Sequence, residues 1–186
     1  MNVQTNLRMD KPTFLDWVQE REERYELEEG HVVMMTGGTR GHGRILRRLA
    51  AALERRIDAA YWEIWTSDFA VDLGPKTVRY PDVVVDAVGG GDKDLTATAP
   101  VLIAEVISPS SVTDDLGDKA AQYLRLPNLA AYLVIAQDEP KAWVWVRGTA
   151  GFPPGPVVVS EDGLIEIPSL GVELPLREIH GERRKR

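Results

Sequence analysis

The chain has 186 residues, no cysteine, 44% hydrophobic and 27% charged residues, and a formal net charge of −7. These are values of a globular domain large enough to bury a core, and they exclude disulfides and thiolate–metal sites. The acidic balance weighs against non-specific polyanion binding, although it leaves room for a local basic patch.

No apolar run approaches the roughly 18 to 20 residues of a membrane span. The amino-terminal stretch MNVQTNLRMDKPTFLDWVQ has no apolar core of the signal-peptide kind. A cytoplasmic location and no membrane partner are therefore expected. In residues 12–24, Pro12 comes early and Phe14, Leu15 and Val18 recur at helical spacing, which predicts a helix. The following YELEEGHVVMM alternates around Glu28-Glu29-Gly30 and predicts strand–turn–strand. A glycine-rich loop, TGGTRGHG, leads into a helix over about 41–59, with Ile45, Leu49 and Leu53 (flanked by Leu46 and Ile57) as its inner stripe.

WEIWTSDFAVDL is a strand region, and VRYPDVVVDAV, after the turn residues Gly74-Pro75, is another. The loop GGGDKDLTATAP separates it from a strand in PVLIAEVISPSS. A helix is expected over about 115–126, then a hairpin made of AAYLVIA and KAWVWVR joined by QDEP. The connector GTAGFPPGP precedes a short strand pair near 157–174. With no repeat and no linker, a single domain over 1–180 is expected, followed by a basic, disordered tail at 181–186. The class is α/β or α+β, with a central sheet rich in Val and Ile and hence covered on both faces.

Glu105 is the anomaly in this pattern. It is the one polar residue between Val101 and Ile107, and a carboxylate is almost never buried unless it is paired or bound to a metal. A second carboxylate, Asp82, opens an apolar run directly after Pro81. Proline is tolerated at a strand start, so Asp82 should sit at a strand end beside a rigid neighbour. Two carboxylates on neighbouring strands repel unless a cation lies between them, and hard divalent ions take oxygen ligands. Ile107 shares a strand face with Glu105, leaving that position apolar. A positive group can come instead from the next helix, where Asp115, Lys119 and Tyr123 fall on one face.

Each residue also has a plainer reading. Asp82 suits a strand-end cap or salt-bridge partner, and Lys119 an exposed helix residue paired with Asp115. Glu26 suits a partner for an arginine such as Arg24, and His42 a surface or helix-start residue. Arg44, Arg48 and Arg55 share a helical face that could touch phosphates or simply be solvated. Trp143 and Trp145 alternate with valines, as in sheet packing.

YPD, then EVISPSS, then DDLGDKAAQY, resembles the PD-(D/E)XK superfamily of restriction-endonuclease-like, metal-dependent phosphodiesterases. The chain is similar in particular to its Uma-two-type branch of restriction endonucleases, from YELEEG through the AYLVIAQDEPKAWVWVR hairpin and onward to about residue 179. The resemblance implies a mixed β-sheet flanked by helices, with extra strands in the N- and C-terminal parts. It implies Asp82, Glu105 and the Val106 backbone carbonyl as ligands of Mg2+ or Mn2+. Ile107 departs from the superfamily, whose lysine belongs there; the branch carries its lysine on the following helix, which matches Lys119. Glu26 in YELEEG and His42 in RGHG are carried over as further site residues. The implied activity is endonucleolytic hydrolysis of nucleic acid, DNA in the first instance, by a homodimer. The alternative is an inactive nucleic-acid- or protein-binding module on the same fold.

Overall fold

The computed structural model describes residues 3–108 and 116–181. A strand β1 (Val3–Arg8) precedes helix α1 (Lys11–Val18), which Asp10 caps through the Thr13 amide. The predicted helix ends six residues early, because only its first half carries apolar residues to bury. Next come β2 (Tyr25–Glu28) and β3 (His31–Met34), joined by a two-residue turn in which Glu29 and Gly30 have φ of 48° and 83°. Two positive φ values match the twist of a tight hairpin, which explains the glycine. Helix α2 (Arg40–Glu54) is capped by Thr39 and buries Ile45, Leu49 and Leu53, the predicted stripe.

The two central strand regions each break in the middle. WEIWTSDFAVDL yields β4 (Trp62–Thr66) and β5 (Val71–Asp72), and VRYPDVVVDAV yields β6 (Val78–Arg79) and β7 (Val83–Ala87). β8 (Leu102–Ile107) follows, then helix α3 (Asp118–Tyr123). The hairpin is β9 (Ala131–Ala136) and β10 (Lys141–Val146). Strands β11 (Val157–Ser160), β12 (Leu164–Ile167) and β13 (Val172–Pro175) precede helix α4 (Leu176–His180).

These strands form a five-stranded sheet, β1-β3-β2-β6-β5, a six-stranded sheet, β11-β10-β9-β8-β7-β4, and the β12–β13 ladder. The larger sheet is mixed, with β8 and β9 parallel and its other neighbours antiparallel. Its two faces bury separate cores. Leu102, Ala104 and Val106 pack with α2 and the β12–β13 ladder, while Ile103 and Ile107 pack with α3, Tyr132 and Trp145. Trp145 stacks on Tyr132, and Trp143 lies under the Lys141 ammonium, so both tryptophans serve packing. The chain passes between the two large sheets three times, through residues 35–61 with α2, at 67–70 and at 80–82, and the last crossing is Tyr80-Pro81-Asp82. Asp115 and the tail from residue 182 lie outside the described residues.

A carboxylate pair at a sheet crossing

Strand register places the two predicted carboxylates. Val83 pairs with Ala104 and Val84 with Ile103, which sets Asp82, one step before β7, opposite Glu105 in β8. Pro81 ends pairing in one sheet before the next begins, so Asp82 stands at the sheet end. Its Oδ2 accepts a hydrogen bond from the Val106 amide at 2.7 Å, and its backbone carbonyl accepts one from Ser67. A β8 amide and the residue just past β4 thus fix one aspartate.

His42 meets Asp82 from the first turn of α2, with Nε2 2.9 Å from Oδ1. The hydrogen bond to Asp82 raises the imidazole pKa, with partial burial opposing and the nearby Val106 carbonyl assisting. The ring packs against Gly38, where a Cβ would come within 2.9 Å of His42 Cδ2. The glycine-rich loop therefore lies where a side chain would press on the ring.

Glu105 is 5% exposed and Lys119 8%. The Lys119 ammonium is 3.3 Å from Glu105 Oε1, and the Tyr123 hydroxyl donates to the same oxygen at 3.2 Å. Lys119 and Tyr123 are one turn apart on α3, so one helix face supplies both groups. Lys119 is accordingly not an exposed helix residue. Burial, then the Glu105 charge, raises the Tyr123 hydroxyl pKa well above its usual value, so it stays a protonated donor. Ile107 points to the same core as Ile103, beside Glu105, as expected.

Glu26 is fully buried, and its partner is Arg79 rather than Arg24. The Arg79 guanidinium reaches Glu26 at 3.1 Å, Glu28 at 2.9 Å and the Gln122 side chain at 3.2 Å. Glu26 Oε1 also accepts from the Tyr80 amide. Sequence reasoning missed Arg79, Gln122 and the role of Tyr123. Arg79 left one signal, a charged residue next to apolar Val78 and just before Tyr80-Pro81-Asp82. Arg24 instead binds the Ser67 carbonyl. Of the three helix-face arginines, Arg48 donates to the Ile179 and His180 carbonyls, Arg55 pairs with Glu178, and Arg44 is exposed.

Asp82, Glu105 and the Val106 carbonyl offer only hard oxygen donors, a set suited to a magnesium-type ion that keeps several waters. Among the described residues, no group of three or more His, Asp and Glu side chains is arranged to hold a metal. The donor set present therefore fits an ion held by few protein ligands. It does not make a closed protein cage.

The sequence profile of a family described as "Putative restriction endonuclease", Uma2, matches residues 12–177. The chain belongs to the Uma2 family. Two Synechocystis relatives, the uncharacterized proteins slr1290 and sll1609, are 29% and 30% identical over 131 and 141 residues. These matches cover 69% and 74% of this chain, and 69% and 80% of the relatives. A crystal structure from Anabaena variabilis, described as a putative nuclease belonging to DUF820, superposes with a TM-score of 0.71 at 18% identity. That match covers 92% of this chain and 97% of the other, and shows that the two share a fold. Among the described residues, no helix is long and apolar enough to cross a membrane.

Proposed function

We propose that this Uma2 protein is a metal-dependent endonuclease that hydrolyses phosphodiester bonds, with DNA as the substrate. The observation carrying it is the opposed pair Asp82 and Glu105, with the buried Lys119 ammonium against Glu105. Membership of a family described as "Putative restriction endonuclease" supports the same reading. In this proposal the whole described chain is one catalytic domain.

Asp82, Glu105 and the Val106 carbonyl would hold Mg2+ or Mn2+. Such an ion supplies Lewis acidity toward a phosphate and acidity to a bound water. Lys119 supplies a positive charge beside Glu105, where the charge developing on an attacked phosphate needs one. Tyr123 and Lys119 orient the Glu105 carboxylate, and the Val106 amide orients Asp82. His42 holds a proton on Nε2 against Asp82, since an ionised carboxylate can only accept. Glu26, through Arg79 and the Tyr80 amide, positions the segment that carries Asp82.

A plasmid-nicking assay with and without Mg2+ or Mn2+ tests this function. Metal-dependent nicking by the wild type, lost in Glu105→Gln, is the expected result. Absence of cleavage of DNA and RNA with either metal would return the chain to a non-catalytic binding role.

A further inference from the structure

A cavity of about 320 Å³ opens beside the candidate site, between the segment following α1 and the corner where the chain leaves β4. Three aromatic residues, Tyr25, Phe69 and Tyr80, line it together with Arg24 and Ser67. Phe69 is backed by Trp65, their ring centroids 4.7 Å apart, and Trp65 is 39% exposed on the edge strand β4. The cavity and the carboxylate pair share backbone. Tyr80 stands two residues before Asp82, and the Ser67 amide donates to the Asp82 carbonyl at 3.1 Å. Ser67 has a φ of 52°, a conformation that costs a non-glycine residue free energy and occurs more often at binding sites.

We infer that this cavity takes an unpaired nucleobase of the strand whose phosphate lies at Asp82 and Glu105. The inference rests on the nuclease reading. A volume near 320 Å³ falls in the range of small-molecule sites. Aromatic walls suit the flat face of any base. The lining holds four carboxylates, Glu22, Glu23, Asp68 and Asp94, against two arginines, Arg21 and Arg24, so a phosphate inside would meet net negative charge, whereas exocyclic amines of a base would find acceptors. Arg24 is the cation placed for the backbone. Its guanidinium binds the Ser67 carbonyl, is half-exposed, and its charge is felt at His42. A chain of net charge −7 gains little from a broad electrostatic footprint. Stacking gives it an affinity that salt does not screen.

Single-stranded DNA and RNA oligonucleotides carrying 2-aminopurine at successive positions test the inference, titrated with wild-type protein in EDTA. At one position the emission should fall on binding, and a fully paired duplex should bind more weakly. Phe69→Leu should weaken single-strand binding about tenfold or more, the cost of losing a stacked base, and Trp65→Leu, which removes only the ring behind Phe69, should weaken it less. Trp65 is exposed, so Trp65→Leu should melt like the wild type and separates stacking from folding. The inference is overturned if the wild type fails to bind, if emission changes at no position, or if a folded Phe69→Leu binds as the wild type does. Binding with stacking but without metal-dependent cleavage would sink the nuclease reading and leave the base site standing. Cleavage by a protein whose binding is indifferent to Trp65 and Phe69 would do the reverse.

Discussion

Lys119 and Glu105 form a buried ion pair whose two charges are taken out of water together. Such a pair adds little net stability, but removing one partner strands the other charge and costs about 3–5 kcal/mol. Lys119→Met is therefore expected to abolish cleavage and also to lower the unfolding free energy by a few kcal/mol. Magnesium affinity, measured by calorimetry, should hold or rise, since a nearby cation has been removed. Glu105→Gln should lose both metal and activity. The double variant Glu105→Gln/Lys119→Met should recover much of the stability lost by Lys119→Met, because neither charge remains. Cleavage surviving in Lys119→Met would take the lysine out of the chemistry.

Arg79 ties elements together rather than acting at the carboxylates. It is 1% exposed and joins Glu26 and Glu28 of β2 to Gln122 of α3, the helix that carries Lys119 and Tyr123. Burial disfavours its charge, but the Glu26 and Glu28 carboxylates outweigh this and raise its pKa. Arg79→Met should cost about 3–5 kcal/mol in urea unfolding, because Glu26 is left buried and unpaired. Arg79→Lys should rescue it only in part, since one ammonium cannot reproduce a planar fork with three acceptors. Full stability in Arg79→Met would disprove the bracket.

The last helix, α4, is fastened by a different group of arginines. Arg55 and Arg56 pair with Glu178, and Arg48 donates to the last helical carbonyls. The His180 ring is partly buried, and its Nε2 has no partner among the described residues. Burial, then the Arg48 charge, lowers its pKa. The unfolded chain takes up this proton near the ordinary histidine value of about 6.5, while the folded chain resists it. The His180 site should thus leave stability undiminished above about pH 6.5 and lower it as the pH drops below that value. The melting temperature of His180→Leu should show a shallower decline between pH 7.5 and 5.5 than the wild type. Equal slopes would place the acid sensitivity elsewhere.

For the whole molecule, the homodimer that the family resemblance implies would need an apolar edge. AWVWV does not provide one, because β10 lies between β9 and β11. The sheet edge on that side is β11, where Val157 and Val158 are 64% and 53% exposed. An unpaired apolar edge strand invites a second copy. Light scattering at micromolar concentration should report a dimer, and Val158→Lys should shift it toward monomer. A wild-type monomer would count against this assembly.

The elements with a clear period were legible in the sequence alone. The inner stripe of α2, the β9–β10 hairpin and the Glu29-Gly30 turn depend on local spacing and backbone preference, and all three occur as read. The strand β1, VQTNLR, was not legible, because an edge strand of polar residues carries no alternation to detect. Glu105 announced itself, since a lone carboxylate in an apolar run requires a partner. Which partners it found was a tertiary matter. Lys119 and Tyr123 reach it only because α3 packs over the face that Ile103 and Ile107 share with it. In the same way, Glu26 took Arg79 over the nearby Arg24 because β2 and β6 pair in one sheet. Local sequence determines which residues cannot be solvated comfortably. Only strand register and helix packing determine what compensates them, because those contacts join positions that no periodicity relates.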